Sequence, residues 1–317
     1  MENIILQSID NYLLSLNIYE VENPKGYIQI IHGMQEHQNR YSFLAEFLNK
    51  NGYTVITNDM RGHGKNAPIL GYFAEKDGYK LLLEDQKVIT NYIKERYGVN
   101  KVILLGHSMG SIISRNLLQN ESHNYEKVIL SGYPNYQSIV GLAISIGKMI
   151  RFFKGGKHPS NLLANLSVGS FNKQIKNPRT KLDWLSINEE NVDEYIKDYY
   201  CGFDFTTSAF IDLFTLLHRM GNTKLYNNVN DLPILLLGGL EDPCIGGIKG
   251  KQTSVSLLRK AGFNKLEVID YPNMRHEILN EKDNTSVFND IIKFLDGGVT
   301  VWWEKLNIYF CLSLFYF

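Results

Sequence analysis

Cysteine is scarce in this chain. Three occur in 317 residues, Cys201, Cys244 and Cys311, and they stand too far apart for a disulfide framework or a zinc-site spacing. Charge of one sign is also lacking. Lys+Arg and Asp+Glu both number 33, so no net field steers the chain toward nucleic acid or an acidic partner, and nucleic acid is not an expected ligand. The opening stretch MENIILQSIDNYLLSLNIYEVE has no basic n-region and no unbroken apolar core, so it does not read as a signal peptide. With so little cysteine, the expected compartment is the reducing cytoplasm. The apolar run LNIYFCLSLFYF, Leu306 to Phe317, falls short of the ~20 residues that a spanning helix needs. It reads either as an appendage or extra strand, or as a surface anchor with Trp302 and Trp303 at a membrane interface.

What is present is ordinary globular material, 44% hydrophobic and 21% charged, in a length that suits one large α/β domain or two small ones. IILQSI and YLLSLNIY flank Asp10-Asn11 and read as a hairpin. After it, short apolar runs alternate with helical segments. YIQIIHG, YTVITND, KVILLG, KVILSG, PILLLGG and LEVIDY are the strands. The helices lie around YSFLAEFLNK, Lys80 to Tyr97, SIISRNLLQN, Ser254 to Lys260 and Thr285 to Leu295. Such alternation predicts an α/β fold with a mostly parallel sheet covered by helices on both faces. Ligands of such sheets sit beyond the carboxyl ends of the strands. The rhythm breaks between Tyr133 and Asn230. We therefore expect a core formed by 1–132 and 231–296, a helical cap inserted at 133–230, and a hydrophobic appendage at 297–317.

GHSMG, Gly106 to Gly110, fits G-x-S-x-G between an apolar strand and a helix, the context in which that motif presents a serine nucleophile. The competing reading is a plain strand–helix turn capped by serine. A serine hydroxyl needs a base. Of eight histidines, His123, His158 and His218 fall in polar loops or on a helix, whereas His276 follows the last strand, LEVIDY. A functionless loop histidine is the alternative there. Asp242 follows PILLLGG and would orient that histidine; Glu241 is adjacent, and turn chemistry before Pro243 would also explain a carboxylate. The order Ser108, Asp242, His276 is the one this architecture uses. Oxyanion donors are expected from the backbone N–H of Met109, just after the serine, and of Met34 in HGMQEH. His32 and His37 in the same segment hint at a metal pair, but a spacing of five and no third ligand make that the weaker reading.

Together HGMQEHQNRY, NDMRGHGKN, GHSMGS, GGLEDPC and RHEILNE resemble the monoacylglycerol lipase and lysophospholipase branch of the α/β-hydrolases, from about Ile4 to Leu295. The resemblance implies an α/β-hydrolase fold, Ser108, Asp242 and His276 as the catalytic triad, and Met34 and Met109 as oxyanion donors. Two positions depart from the family pattern: Ser111 replaces a second glycine after the elbow, and Asn66 replaces a serine in D-x-R-G-x-G-x-S. Either could alter packing near the elbow.

The expected activity is hydrolysis of a lipid-like carboxylic monoester, a monoacylglycerol or lysophospholipid, without metal or organic cofactor. IVGLAISIGKMIRFF suits an acyl chain or a lipid surface, with Lys148, Arg151, Lys154 and Lys157 available for phosphate head groups; equally, its apolar side packs on the core and its lysines are solvated. Peripheral membrane contact through the cap or the tail follows from the first reading. Two competitors stand. A peptidase resembling proline iminopeptidase would place the acidic run NEENVDE around a free N-terminus, and an inactive homologue would bind lipid or protein without turnover.

Overall fold

The computed structural model describes residues 1–227 and 229–297. Everything beyond Gly297 in the expected appendage, including the anchor and strand readings of Trp302, Trp303 and Leu306 to Phe317, lies outside the described residues.

Asn11 takes φ +66° at the tip of the opening hairpin, which joins β1 (Glu2–Gln7) to β2 (Leu13–Tyr19). The remaining strands are β3 (Gly26–Ile31), β4 (Tyr53–Asn58), β5 (Val102–His107), β6 (Tyr125–Ser131), β7 (Ile234–Gly239) and β8 (Leu266–Tyr271). They form one eight-stranded sheet in the order β1-β2-β4-β3-β5-β6-β7-β8. β1 and β2 are antiparallel, β2 runs antiparallel to β4, and every other pairing is parallel. β3 leads outward to β4 on one side and pairs with β5 on the other, so the connections after β3 and β5 diverge and leave a crevice between them.

Alternation along β5 shows why its whole run is apolar. Val102 and Leu104 join the cluster under α2 (Gly78–Tyr97) and α3 (Met109–Leu117). Ile103 and Leu105 join the opposite one, under α1 (Ser42–Lys50) and α9 (Asn284–Leu295). Both faces are therefore sealed, as a parallel sheet requires. The expected insertion contributes α4 (Val140–Lys154), α5 (Asn161–Ser167), α6 (Glu189–Lys197) and α7 (Thr207–Gly221), and α8 (Gly247–Lys260) follows β7. α7 packs on α2, α3 and α4, and its Phe210 and Phe214 belong to the main cluster. Trp184, Leu185, Tyr195 and Cys201 form a separate small cluster in the insertion. Among the described residues no helix is long and apolar enough to cross a membrane.

Candidate active site

The crevice between β3 and β5 holds the serine. Ser108 sits at φ +51° and ψ −117°, a strained conformation for a residue with a side chain, on the turn from β5 to α3. The flanking glycines are dictated by contact. A Cβ on Gly110 would lie 2.1 Å from the Ile31 carbonyl oxygen, and one on Gly106 would lie 2.4 Å from that of Gly110. The Ser108 amide donates to the Ser131 carbonyl at 2.9 Å, anchoring the turn to β6. Ser111 does not crowd the elbow. Its fully buried Oγ donates to the Ser108 carbonyl at 2.7 Å, which satisfies a hydroxyl that would otherwise be costly to bury. Asn66, by contrast, is exposed.

Three loops at the carboxyl ends of the sheet converge. His276 Nε2 lies 2.8 Å from Ser108 Oγ, and His276 Nδ1 lies 2.9 Å from Asp242 Oδ2. Asp242 is held by the Cys244 amide, which donates to Oδ1 at 2.8 Å. Glu241 is turned away, 3.7 Å from Arg275. His276 is not a surface-loop histidine, being only 2% exposed. Burial opposes its charging, but the Asp242 carboxylate beside it, with help from Glu277 and Glu36, raises its affinity for a proton above the ordinary imidazole value. Behind it lies His107, whose ring centroid is 5.0 Å away. Burial first, and then repulsion by His276, push His107 down to about 4, so it stays neutral near pH 7. The Trp184 ring packs 5.0 Å from His276 on the insertion side.

HGMQEH forms a turn directly against the elbow, where a Cβ on Gly33 would come within 3.2 Å of the Ser108 Cβ. Buried neutral histidines brace this turn. His32 donates from Nδ1 to the Gly33 carbonyl at 2.8 Å and accepts the Met60 amide on Nε2 at 3.1 Å. His63 accepts the Gln35 amide at 3.3 Å. Both are shifted downward, chiefly by burial. Met34 and Met109 border the same cavity as Ser108 and His276, and no backbone carbonyl among the described residues takes either amide. His32 and His37 do not converge. His37 pairs instead with Asp198 at 2.8 Å, near the buried thiol of Cys201, whose proton affinity burial raises.

Residues that sequence reasoning passed over complete the surroundings. Glu36 Oε1 accepts the Gly33 amide at 2.5 Å and the Tyr41 hydroxyl at 2.8 Å, while Arg40 reaches both Glu36 and Glu277. Their signal was available: Glu36 and Arg40 stand four apart just after HGM, and Glu277 is the neighbour of His276.

Above the serine lies a cavity of about 460 Å³. Its walls are mainly apolar residues of the insertion, among them Val140, Ala143, Ile146, Leu166, Phe171 and Phe214. The NEENVDE run is absent from that wall; Glu189 and Asp193 face Arg179 instead. Three carboxylates do border the cavity, but Glu36 and Glu277 are committed to Arg40, which leaves Asp204. Lys181 is the one lysine or arginine on the wall among the described residues.

A mostly parallel eight-stranded sheet with a strained serine at its switch point defines an α/β-hydrolase. The sequence matches the serine aminopeptidase S33 family over residues 22–283, and the chain belongs to that family; it is a serine hydrolase. No curated protein matches it by sequence. Similar solved structures include a highly thermostable carboxyl esterase from Bacillus coagulans in complex with glycerol, 24% identical with a TM-score of 0.86 over 93% of this chain and 98% of that one. Another is a soluble variant of monoglyceride lipase from Saccharomyces cerevisiae bound to a substrate analogue, 20% identical, TM-score 0.72, covering 95% and 96%. The monoacylglycerol lipase of Paleococcus ferrophilus matches at 21% identity and TM-score 0.68, over 89% and 98%.

Proposed function

We propose that this enzyme hydrolyses a lipid-like carboxylic monoester, with monoacylglycerol as the substrate class that fits best. The observation that carries the reading is the relay Ser108–His276–Asp242 opening into an apolar cavity. His276 takes the Ser108 proton as Oγ adds to the ester carbonyl. The amides of Met34 and Met109 hold the resulting oxyanion. Collapse of that intermediate expels the alcohol, which leaves with the proton from His276. Water then adds to the acyl-serine as His276 takes its proton, and the fatty acid departs as the proton returns to Ser108 Oγ.

The charge on the cavity wall favours a neutral head group. Lys148, Arg151, Lys154 and Lys157 all lie off that wall, so a lysophospholipid phosphate would find Lys181 alone. A free amino terminus would find only Asp204 uncommitted, which weighs against the aminopeptidase reading despite the family's description.

The insertion's outer surface belongs to the same reading. Ile139, Leu142, Met149, Phe152 and Phe153 are exposed along and just before α4, beside exposed Lys148 and Lys154. Ile139 and Leu142 also border the cavity, so its mouth opens onto this apolar and basic patch. An anionic lipid surface is the complementary partner. Turnover of monoacylglycerol beside lysophosphatidylcholine and aminoacyl-anilides, for wild type and Ser108→Ala, tests the proposal. Ester-selective turnover that requires Ser108 supports it.

A further inference from the structure

One buried cation ties the two halves of the site together. Arg40, on the short turn Gln38–Tyr41, donates Nη1 and Nη2 to the two oxygens of Glu277 at 2.7 Å each. The same Nη1 donates to Glu36 Oε2 at 2.8 Å. Glu36 holds the Gly33 amide and so shapes the turn that carries Met34, while Glu277 adjoins His276. The insertion closes this arrangement from α6. Asn191 accepts from Arg40 Nη2 at 2.9 Å and donates to Glu277 Oε2 at 2.6 Å. The Tyr195 ring covers the guanidinium at 4.9 Å, and its hydroxyl donates to the Gln35 carbonyl at 2.7 Å. The Glu277 amide in turn donates to the Leu185 carbonyl of the insertion at 2.7 Å. All these side chains are buried or nearly so, and Arg40 is only 11% exposed.

We propose that Arg40 is a positioning residue, locked by Asn191 and Tyr195, that fixes the oxyanion turn relative to the base loop, so that α6 of the insertion must be seated for chemistry and not only for substrate binding. The inference rests on the reading of Ser108 and His276 as nucleophile and base. Its physical basis is the planar fork, which sets two carboxylates at fixed distance and angle. Both carboxylates are anionic here: burial opposes their charge most, but Arg40, Asn191 and His107 together bring Glu277 down to about 2, and Glu36 is lowered against its burial by Arg40 with help from His107. Arg40 does not itself line the cavity; it stands behind Glu36, Glu277 and Tyr195, which do. Removing it should displace groups that act on the reacting atoms, while the apolar wall formed by Val140, Ala143, Ile146, Leu166, Phe171 and Phe214, none of which it contacts, keeps its place.

The experiment compares Arg40→Met, Arg40→Lys, Asn191→Ala and Tyr195→Phe with wild type on p-nitrophenyl acetate and on a long-chain p-nitrophenyl ester, with kcat and KM separated. The rate of labelling by a small fluorophosphonate is measured in parallel, with Ser108→Ala as reference. Misplacement by about 1 Å costs on the order of a hundredfold, so Arg40→Met should lower kcat by about 10- to 100-fold on both esters, with KM little changed. Fluorophosphonate labelling should slow in step, and Arg40→Lys should recover only part of the loss, because an ammonium cannot fork. Asn191→Ala and Tyr195→Phe should show the same pattern more weakly; they carry the test if Arg40→Met does not fold. Unchanged kcat in folded variants, or a loss confined to KM of the long ester, overturns the inference. Labelling that survives in Ser108→Ala overturns the underlying nucleophile assignment instead.

Discussion

Phe152 and Phe153 offer the sharpest test of how substrate arrives. They are 83% and 77% exposed at the end of α4, the helix whose Val140, Leu142, Ala143 and Ile146 border the cavity. Fully burying a phenylalanine side chain is worth roughly 1.5–3 kcal/mol, and about half of that at interfacial depth gives about 1.5–3 kcal/mol for the pair. At 1.4 kcal/mol per decade, Phe152→Ser/Phe153→Ser should weaken partitioning to lipid by about 10- to 100-fold. The assay is co-sedimentation with phosphatidylcholine vesicles doped with phosphatidylserine, in a Ser108→Ala background so that no lipid is consumed. In the Ser108-intact counterpart, kcat/KM on p-nitrophenyl acetate should stay at the wild-type value, showing that the site is intact. Lys148→Glu/Lys154→Glu should weaken binding by about 1 kcal/mol or more per site, and high salt should remove that difference. A double-serine variant that sediments like its parent would refute the assignment of this face. Comparing chains with and without 297–317 separates the α4 patch from the apolar tail.

Other consequences follow from single contacts. Gly110→Ala puts a methyl against the Ile31 carbonyl, so soluble yield and the thermal unfolding midpoint should both drop sharply, with little correctly folded enzyme. Asp242→Asn keeps the shape but favours the wrong His276 tautomer; kcat should fall on the order of 10⁴-fold while circular dichroism is unchanged. His276 must be neutral to accept the serine proton, so kcat/KM should rise with pH through its titration. Because Asp242, Glu277 and Glu36 raise that titration above the ordinary imidazole value, and neutral His107 does not oppose them with a charge, the acid limb should have its midpoint above 6.5. A midpoint below that value in a pH–rate profile would contradict the electrostatics described here.

Much of the fold was legible because the strands are short, doubly buried runs punctuated by glycine and polar turns. Gly52 and Gly98 take φ values of +92° and +65° where the helical patterns stop. Ser108, Asp242 and His276 could be nominated because each closes a different apolar strand, a relation that survives without coordinates. The insertion was less legible. α7 reads as cap by position, yet Phe210 and Phe214 bury themselves against α2 and α3, a tertiary choice that helical periodicity does not encode. NEENVDE looked like a wall of negative charge, but it flanks Arg179 away from the cavity, because helix orientation decides what a charged face meets. The Glu36–Arg40 pair is local, four residues apart, but its link to the base loop and the insertion is not legible, because Glu277 lies 237 residues from Arg40 and Asn191 151 residues from it.

The central claim is that Ser108 opens an ester and not a peptide. The direct measurement is product release by purified wild type and Ser108→Ala from monoacylglycerol and from an aminoacyl-anilide, side by side. Wild type should liberate fatty acid and leave the anilide largely intact, and Ser108→Ala should lose ester turnover by a factor on the order of 10⁵ or more. Full esterase activity in Ser108→Ala, or an anilide cleaved where the ester is not, would contradict it.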